Sequence, residues 1–178
     1  MTSLEQPLVG VHLLQPKVFT DKRGDFVKTY HREILYDLGL DFTPAEEFLS
    51  TSRRGVLRGM HFQLPPHEHS KLVYCVRGSV LDVLLDLRKG SGSYGQFVAV
   101  ELSHVNRRMF FIPAGVAHGF VALEDDSVMI YKTSTVHAPT HDAGIRWDSF
   151  GFVWPGRDFI ISDRDTSFPP LAGYVSPF

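Results

Sequence analysis

The stretch LRGMHFQLPPHEHSKLV concentrates side chains that can move protons or hold charge. Its candidates are Arg58, His61, His67, His69 and Lys71. Imidazoles bind transition metals or act as acids and bases near neutral pH, and guanidinium and ammonium groups bind anions. The stretch therefore predicts a metal site, an anion site or an acid–base centre, and other segments must decide between them.

A metal site would require His67 and His69 on one side of a strand, with His118 of the segment PAGVAH as a third ligand. Sites of this His-x-His type also use a glutamate, and the apolar strand that follows has no carboxylate where one is due. Lys71 stands beside the pair instead, and its ammonium would repel a divalent cation. We therefore predict no metal, and we expect His67 and His69 to be solvated loop residues after Pro65-Pro66.

An acid–base centre fits the remaining groups, each near the end of a predicted strand: Arg58, His61, Lys71 and His118. A carboxylate that is hydrogen-bonded to one imidazole nitrogen fixes the tautomer and makes the other nitrogen a better base. Asp163 and Asp165, in a predicted polar turn, could supply that carboxylate, and Tyr131 could supply a second proton donor. Spacing alone does not bring these groups together, so the residues by themselves indicate only a candidate polar pocket.

The elements that would position these groups are mainly strands. Short runs rich in Val, Ile, Phe and Tyr are separated by Gly and Pro, which is typical of an all-β sandwich or barrel. In KLVYCVRGSVLDVLLDLR, Arg77-Gly78 separates two strands, and the second places Asp82 and Asp86 on the face opposite Leu81, Val83, Leu85 and Leu87. YHREILYDLG predicts one short helix that ends at Gly39.

Composition restricts the classes of partner. A chain of 178 residues predicts one domain over 1–178, and 18 Lys and Arg against 20 Asp and Glu favour neither nucleic acid nor an anionic membrane. No apolar run reaches the ~20 residues that a membrane helix needs. The first ten residues lack the pattern of a secretory signal, and Cys75 has no second cysteine to pair with. We therefore expect a soluble, cytoplasmic protein.

Five segments occur in one order and together resemble a known family: FTDKRGDF, GVLRGMHFQLPP, KLVYCVRGSVLDVLLDLRKGSGSYG, IPAGVAHGFVAL and SDRD. The family is that of the dTDP-4-dehydrorhamnose 3,5-epimerases, and the resemblance covers about residues 9–171. It implies a cupin-type jelly roll with one or two short helices that needs no metal or other cofactor. It also implies a homodimer that exchanges N-terminal strands, and a nucleotide-diphospho-4-keto-6-deoxyhexose as substrate.

The resemblance implies catalytic roles for four residues. His61 matches the base that removes a proton next to the C4 ketone, and Asp165 matches the carboxylate that orients it. Lys71 matches the cation near the enolate oxygen, where negative charge develops. Tyr131 matches the acid that returns a proton to the opposite face of the sugar.

The resemblance also implies residues that hold the substrate. Arg23 and Arg58 match groups that bind the diphosphate, which suits a bidentate guanidinium. His118 and Phe120 match residues that line the sugar, and Phe19 matches an aromatic residue near the nucleotide base.

Four positions at the nucleotide end depart from the family pattern. Lys28 stands where the family usually has Glu, Glu46 and Phe48 replace Gln and Asn, and His137 replaces a second tyrosine. These changes alter the hydrogen bonds offered to the base, so dTDP, CDP and GDP all stay open. The change at His137 also leaves open whether C3, C5 or both carbons are inverted.

Three other functions are alternatives for this sequence. A 3,4-ketoisomerase of the same fold generally has a histidine where this chain has Gln63, which we instead expect in the substrate pocket. A non-catalytic cupin that binds a nucleotide sugar would be expected to lack His61, Lys71 or Tyr131, and all three are present. A metal-dependent oxygenase is disfavoured by the missing glutamate.

Overall fold

A computed structural model describes residues 1–178, which consist mainly of strands. The strands are β1 (Thr2–Glu5), β2 (His12–Gln15), β3 (Val18–Asp21), β4 (Gly24–Val27), β5 (Glu46–Ser52), β6 (Leu57–Gln63), β7 (Lys71–Arg77), β8 (Ser79–Asp86), β9 (Phe97–Ser103), β10 (Met109–Ile112), β11 (Val116–Ala122), β12 (Ser127–Thr133) and β13 (Asp142–Gly144). The helices are α1 (Arg32–Asp37) and α2 (Asp163–Thr166). Neither helix has the length and hydrophobicity that crossing a membrane requires.

The strands form two packed sheets and a separate hairpin. The first sheet has the order β1-β2-β10-β7-β12-β5, the second has the order β13-β6-β11-β8-β9, and β3 pairs with β4. Leu84 and Phe120 of the second sheet meet Phe110 and Met129 of the first in one buried cluster. The all-β sandwich predicted from the sequence is confirmed.

The two short helices lie outside the sheets. The predicted helix occurs as α1, and its Leu35 packs with Leu14 and Leu72 on the outer face of the first sheet. The segment around Asp165 was predicted to be a turn but forms the single-turn helix α2, because the Ser162 side chain caps it by accepting a hydrogen bond from the Asp165 amide.

Strand β8 shows how completely the second sheet is covered. Val80 and Leu84 face the first sheet, whereas Val83 and Leu85 face an aromatic cluster that includes Trp154. Because both faces of β8 are covered, Asp82 and Asp86 are fully buried. The sequence pattern placed these aspartates correctly on one face, but that face is the interior of the sandwich and carries part of the site.

Strands β6 and β11 approach each other unusually closely where two glycines meet. A Cβ on Gly119 would lie 2.8 Å from the Arg58 carbonyl oxygen, and one on Gly59 would lie 2.5 Å from the Gly119 Cα. The register shifts at this point and resumes with His61 paired to His118. The glycine contact therefore sets two imidazoles side by side at one end of the sandwich.

We expect Gly119→Ala to lower the free energy of unfolding by about 1 to 3 kcal/mol, because the added methyl has no space between the strands. Denaturant unfolding measures the change. Gly92→Ala is the matched control, since a Cβ at Gly92 meets no atom within 4 Å, and it should change stability by less than about 0.5 kcal/mol. Equal stability of the two variants would contradict the tight contact.

Candidate active site

A pocket of about 360 Å³ opens between the two sheets. Its walls hold ten of the residues that the sequence predicted for the site: Glu46, Phe48, Arg58, His61, Gln63, Lys71, His118, Phe120, Tyr131 and His137. They come from both sheets, so the pocket exists only because the sandwich folds. Five lining residues were not predicted from the sequence: Ser50, Phe62, His69, Asp142 and Arg164.

His61 is held by a carboxylate from a distant part of the chain. Its Nε2 lies 2.8 Å from Asp165 Oδ1, and the other oxygen of Asp165 accepts the amide of Gly59 at 3.0 Å. Because the carboxylate accepts a hydrogen bond from Nε2–H, the neutral imidazole has its lone pair on Nδ1. The predicted pairing of His61 with Asp165, 104 residues apart, is thus present in the structure.

Electrostatics favour a neutral imidazole beside an ionised carboxylate. Burial lowers the pKa of His61, although the hydrogen bond to Asp165 opposes the shift, and Lys71 lowers it further. Burial alone would raise the pKa of Asp165, but the hydrogen bonds from His61 and from the Gly59 amide hold it below its usual value. At neutral pH, His61 is therefore ready to accept a proton.

Lys71 is a buried cation beside this pair. It begins β7, and its ammonium donates to the His61 carbonyl oxygen over 3.1 Å. Burial lowers its pKa to about 8, while the carboxylates of Asp142 and Asp82 oppose the shift. A charged donor in a poorly solvated pocket interacts strongly with any anionic oxygen that forms there.

Tyr131 supplies a proton donor from the opposite sheet. Its hydroxyl lies 3.1 Å from Ser50 Oγ, and its ring stacks on Phe48, its direct partner in the β5–β12 ladder, with 4.8 Å between ring centroids. Burial raises the pKa of Tyr131, so the phenol stays protonated. His61 and Tyr131 therefore face one pocket from different sheets.

A second histidine–aspartate pair lies deeper in the sandwich. His118 Nε2 is 2.7 Å from Asp82 Oδ2, and both side chains are almost completely buried. Burial raises the pKa of Asp82, although His118 opposes the shift. Sequence reasoning did not assign Asp82 to the site, although an aspartate in the middle of an apolar strand was the available signal.

Polar contacts order the rim of the pocket. Arg58 donates to Ser52 Oγ at 3.1 Å, and Glu46 accepts the backbone amide of His137 at 2.6 Å. Arg164 and Asp142 form an ion pair at 2.7 Å. Arg58 and Arg164 are therefore cations in the pocket wall that can bind an anionic substrate.

His69 corrects one expectation from the sequence. His67 is exposed, as predicted, and its ring lies against His141, but His69 lines the pocket. The loop after Pro66 turns back toward the sandwich because β7 begins at Lys71, and this return carries His69 inward. No group of three or more His, Cys, Asp or Glu side chains is placed to hold a metal ion.

Three predicted substrate-binding residues lie outside the pocket. Phe19 and Arg23 belong to the β3–β4 hairpin, where they line a separate shallow groove, and Lys28 follows it. Phe19 is 48% exposed, and the Arg23 side chain is 84% exposed. The structure therefore does not bring these residues to the site of their own chain.

Comparison with known proteins agrees with the geometry. The family model described as dTDP-4-dehydrorhamnose 3,5-epimerase matches residues 5–173. This chain belongs to that family. The epimerase of Methanothermobacter thermautotrophicus is 43% identical over 94% of this chain and 93% of its own length. The protein is accordingly an isomerase that epimerises a nucleotide-linked deoxysugar.

Solved structures of relatives resemble this epimerase over nearly its whole length. The Bacillus anthracis dTDP-4-dehydrorhamnose 3,5-epimerase, with TDP and PPi bound, has a TM-score of 0.93 and 34% identity over 96% of this chain and 99% of its own. A 3'-monoepimerase from Streptomyces bikiniensis in complex with dTDP-quinovose has a TM-score of 0.87 and 29% identity, covering 94% and 86%. These likenesses confirm the cupin-type jelly roll.

We expect Lys71 to titrate near pH 8, which NMR of the epimerase with isotopically labelled lysine side chains measures directly. Asp142→Asn should move the pKa lower, because it removes a negative charge that stabilises the ammonium. The signal of Lys71 is identified by its loss in Lys71→Met. Asp148→Asn, at an exposed ion pair with Arg146, is the control and should leave the titration unchanged. A wild-type pKa at the ordinary lysine value of 10.5 would contradict the burial of the ammonium.

Proposed function

We propose that the epimerase inverts C3, C5 or both carbons of a dTDP-4-keto-6-deoxyhexose, through proton removal on one face and proton return on the other. The observation that carries the proposal is the placement of His61, held by Asp165, and Tyr131 on different sheets that face one pocket. Inversion of a carbon requires a base and an acid on opposite faces of the ring. The second sheet supplies the base, His61, and the first sheet supplies the acid, Tyr131.

In the proposed first step, His61 Nδ1 removes the proton from a carbon next to the C4 ketone. The electrons of the C–H bond move into the carbonyl group and form an enolate with negative charge on O4. The ammonium of Lys71 stabilises that charge, because it is buried and already directed into the same pocket. Asp165 stabilises the imidazolium that forms on His61.

In the second step, the Tyr131 hydroxyl gives its proton to the opposite face of the same carbon. The enolate returns to the ketone, and tyrosinate is left behind. Arg58 favours the tyrosinate electrostatically, and Ser50 is within hydrogen-bond distance of its oxygen. Solvent then takes a proton from His61 and restores one to Tyr131, so no oxidant or reductant is consumed.

We assign the diphosphate to Arg58 and Arg164 at the rim, and the sugar to the region of His118 and Phe120. The names of the relatives support dTDP as the nucleotide. Glu46, Phe48 and His137 line the pocket and still differ from the family pattern, so CDP and GDP sugars are the alternatives to test.

The number of carbons inverted belongs to the proposal as well. Epimerases of this fold include a relative named for inversion at two carbons and one named as a 3'-monoepimerase. His137, in place of the family's second tyrosine, lines the pocket and could change how the sugar presents C3 and C5 to His61.

We further propose that residues 1–178 form one catalytic domain that works as a cytoplasmic homodimer. Phe19 and Phe26 form an exposed aromatic pair on the β3–β4 hairpin, with 6.3 Å between ring centroids. Large apolar side chains exposed together favour a protein interface. A hairpin that reaches the partner's pocket would bring Phe19 and Arg23 to the substrate, which their own fold does not do. Cys75, buried and without a disulfide partner, fits the reducing cytoplasm.

The proposal predicts deuterium incorporation from heavy water into dTDP-4-keto-6-deoxyglucose, at each carbon that the epimerase inverts. Proton NMR reports the exchange at C3 and C5 separately, and CDP- and GDP-linked sugars offered in parallel report the preferred nucleotide. Absence of exchange with every nucleotide would leave a non-catalytic sugar-binding protein instead.

Two variants separate the steps. His61→Asn should abolish exchange at both carbons, because no base is left. Tyr131→Phe should retain exchange on the face of His61 but lose inversion, because only the acid is removed. Unimpaired inversion by Tyr131→Phe would assign the acid to another residue.

The dimer predicts complementation between two impaired chains. A heterodimer of Arg23→Ala and His61→Asn, purified through two different affinity tags, should show about half of the activity of the wild-type dimer, because one of its two pockets combines an intact base with an intact hairpin. Arg23→Ala alone should have a KM raised about tenfold or more by loss of a charge-assisted phosphate contact.

The control for Arg23 is Arg157→Ala, a substitution of another exposed arginine, which should keep full activity. If the heterodimer is no more active than the average of the Arg23→Ala and His61→Asn homodimers, Arg23 contacts substrate in the pocket of its own chain or in neither pocket. A monomer in light scattering would equally exclude the shared pocket.

A further inference from the structure

The wall of the pocket contains one histidine that the proposed mechanism does not use. His69 lines the pocket together with Lys71 and His137, both of which influence it electrostatically. Its Nδ1 is 3.2 Å from the side-chain nitrogen of Gln63. What His69 can offer a ligand depends on which of its ring nitrogens carries the proton.

Gln63 determines that tautomer. The amide oxygen of Gln63 accepts the backbone N–H of Ala138 at 2.7 Å, and its nitrogen donates to the His67 carbonyl oxygen at 2.7 Å. These two backbone contacts fix the orientation of the amide, because the reversed amide would place donor against donor and acceptor against acceptor. The nitrogen of Gln63 is therefore a donor to His69, and His69 Nδ1 is an acceptor.

His69 is consequently neutral, with its single proton on Nε2. Burial, together with the nearby Lys71 and His137, lowers its pKa to about 3. Protonation of Nδ1 would also set two donors against each other at Gln63. The Nε2–H group is thus a donor at neutral pH, where His61 is also neutral.

This donor has no partner. His69 Nε2 is buried and makes no hydrogen bond within the protein. An unpaired buried donor costs free energy, and such a group in a substrate pocket commonly finds its acceptor in the ligand. We propose that His69 Nε2–H donates a hydrogen bond to an oxygen of the bound sugar, which makes His69 a residue that selects the sugar.

The sugar is a better acceptor here than the diphosphate. Arg58 and Arg164 line the pocket as guanidinium cations that can bind the diphosphate. His69 is a neutral donor near Lys71. Hydroxyl and keto oxygens suit a single neutral N–H group. The inference rests on the proposed function, since it assumes that a nucleotide-linked sugar occupies this pocket.

Calorimetric titration with dTDP-rhamnose and with dTDP tests the inference, because the first ligand has a sugar but no C4 ketone and is not turned over. His69→Asn keeps an acceptor near the position of Nδ1 and removes the Nε2–H donor. We expect this substitution to weaken the binding of dTDP-rhamnose about tenfold and the binding of dTDP less than twofold. His69→Gln, whose amide reaches the position of Nε2, should bind dTDP-rhamnose within about threefold of the wild type.

His67→Asn, the same substitution on the exposed histidine of the same loop, should leave both affinities unchanged. Unchanged binding of dTDP-rhamnose by His69→Asn would overturn the inference. An equal loss of affinity for dTDP and dTDP-rhamnose would also overturn it, because the donor would then bind the nucleotide. Failure of the proposed function has a different signature: wild-type protein would bind dTDP-rhamnose but exchange no deuterium into the 4-keto sugar. The comparison of binding constants would still decide the role of His69.

Discussion

Burial of charge between two apolar sheets is the constraint on which this structure depends. A carboxylate or an ammonium taken out of water is stable only if partners replace the lost solvation. Asp165 accepts from His61 and from a backbone amide, Asp82 accepts from His118, and the ammonium of Lys71 donates to a carbonyl oxygen. Each contact that stabilises a buried charge also shifts a pKa or sets a tautomer. The same contacts therefore determine which groups in the pocket carry protons.

The sandwich architecture suits a reaction that must treat two faces of a ring differently. One sheet contributes His61 and His118, and the other contributes Lys71 and Tyr131. Groups on one sheet are held in register by their ladder, as Tyr131 is by Phe48. Groups on different sheets are separated by the spacing of the two layers, which leaves room for a substrate between an acid and a base.

Segments outside the two sheets complete the wall of the pocket. The short helix α2 brings Asp165 behind His61, and the loop before β7 turns His69 into the pocket. Gln63 links that loop to the segment before β13 through hydrogen bonds to two backbone groups, so one buried amide holds two parts of the wall. The β3–β4 hairpin, by contrast, carries Phe19 and Arg23 away from the pocket of its own chain.

The sequence by itself determined the all-β class, the approximate strands and the chemical types at the site. Alternating apolar residues and glycine or proline breaks are local signals, and five motifs in order identified the family, with His61, Asp165, Lys71 and Tyr131. Only the tertiary structure decided which groups meet. It placed Asp82 inside the sandwich and His69 in the pocket, and it left Phe19, Arg23 and Lys28 outside. The physical reason is that burial, hydrogen-bond partners and shifted pKa values arise from contacts between residues far apart in the chain, and a pattern of neighbours does not contain them.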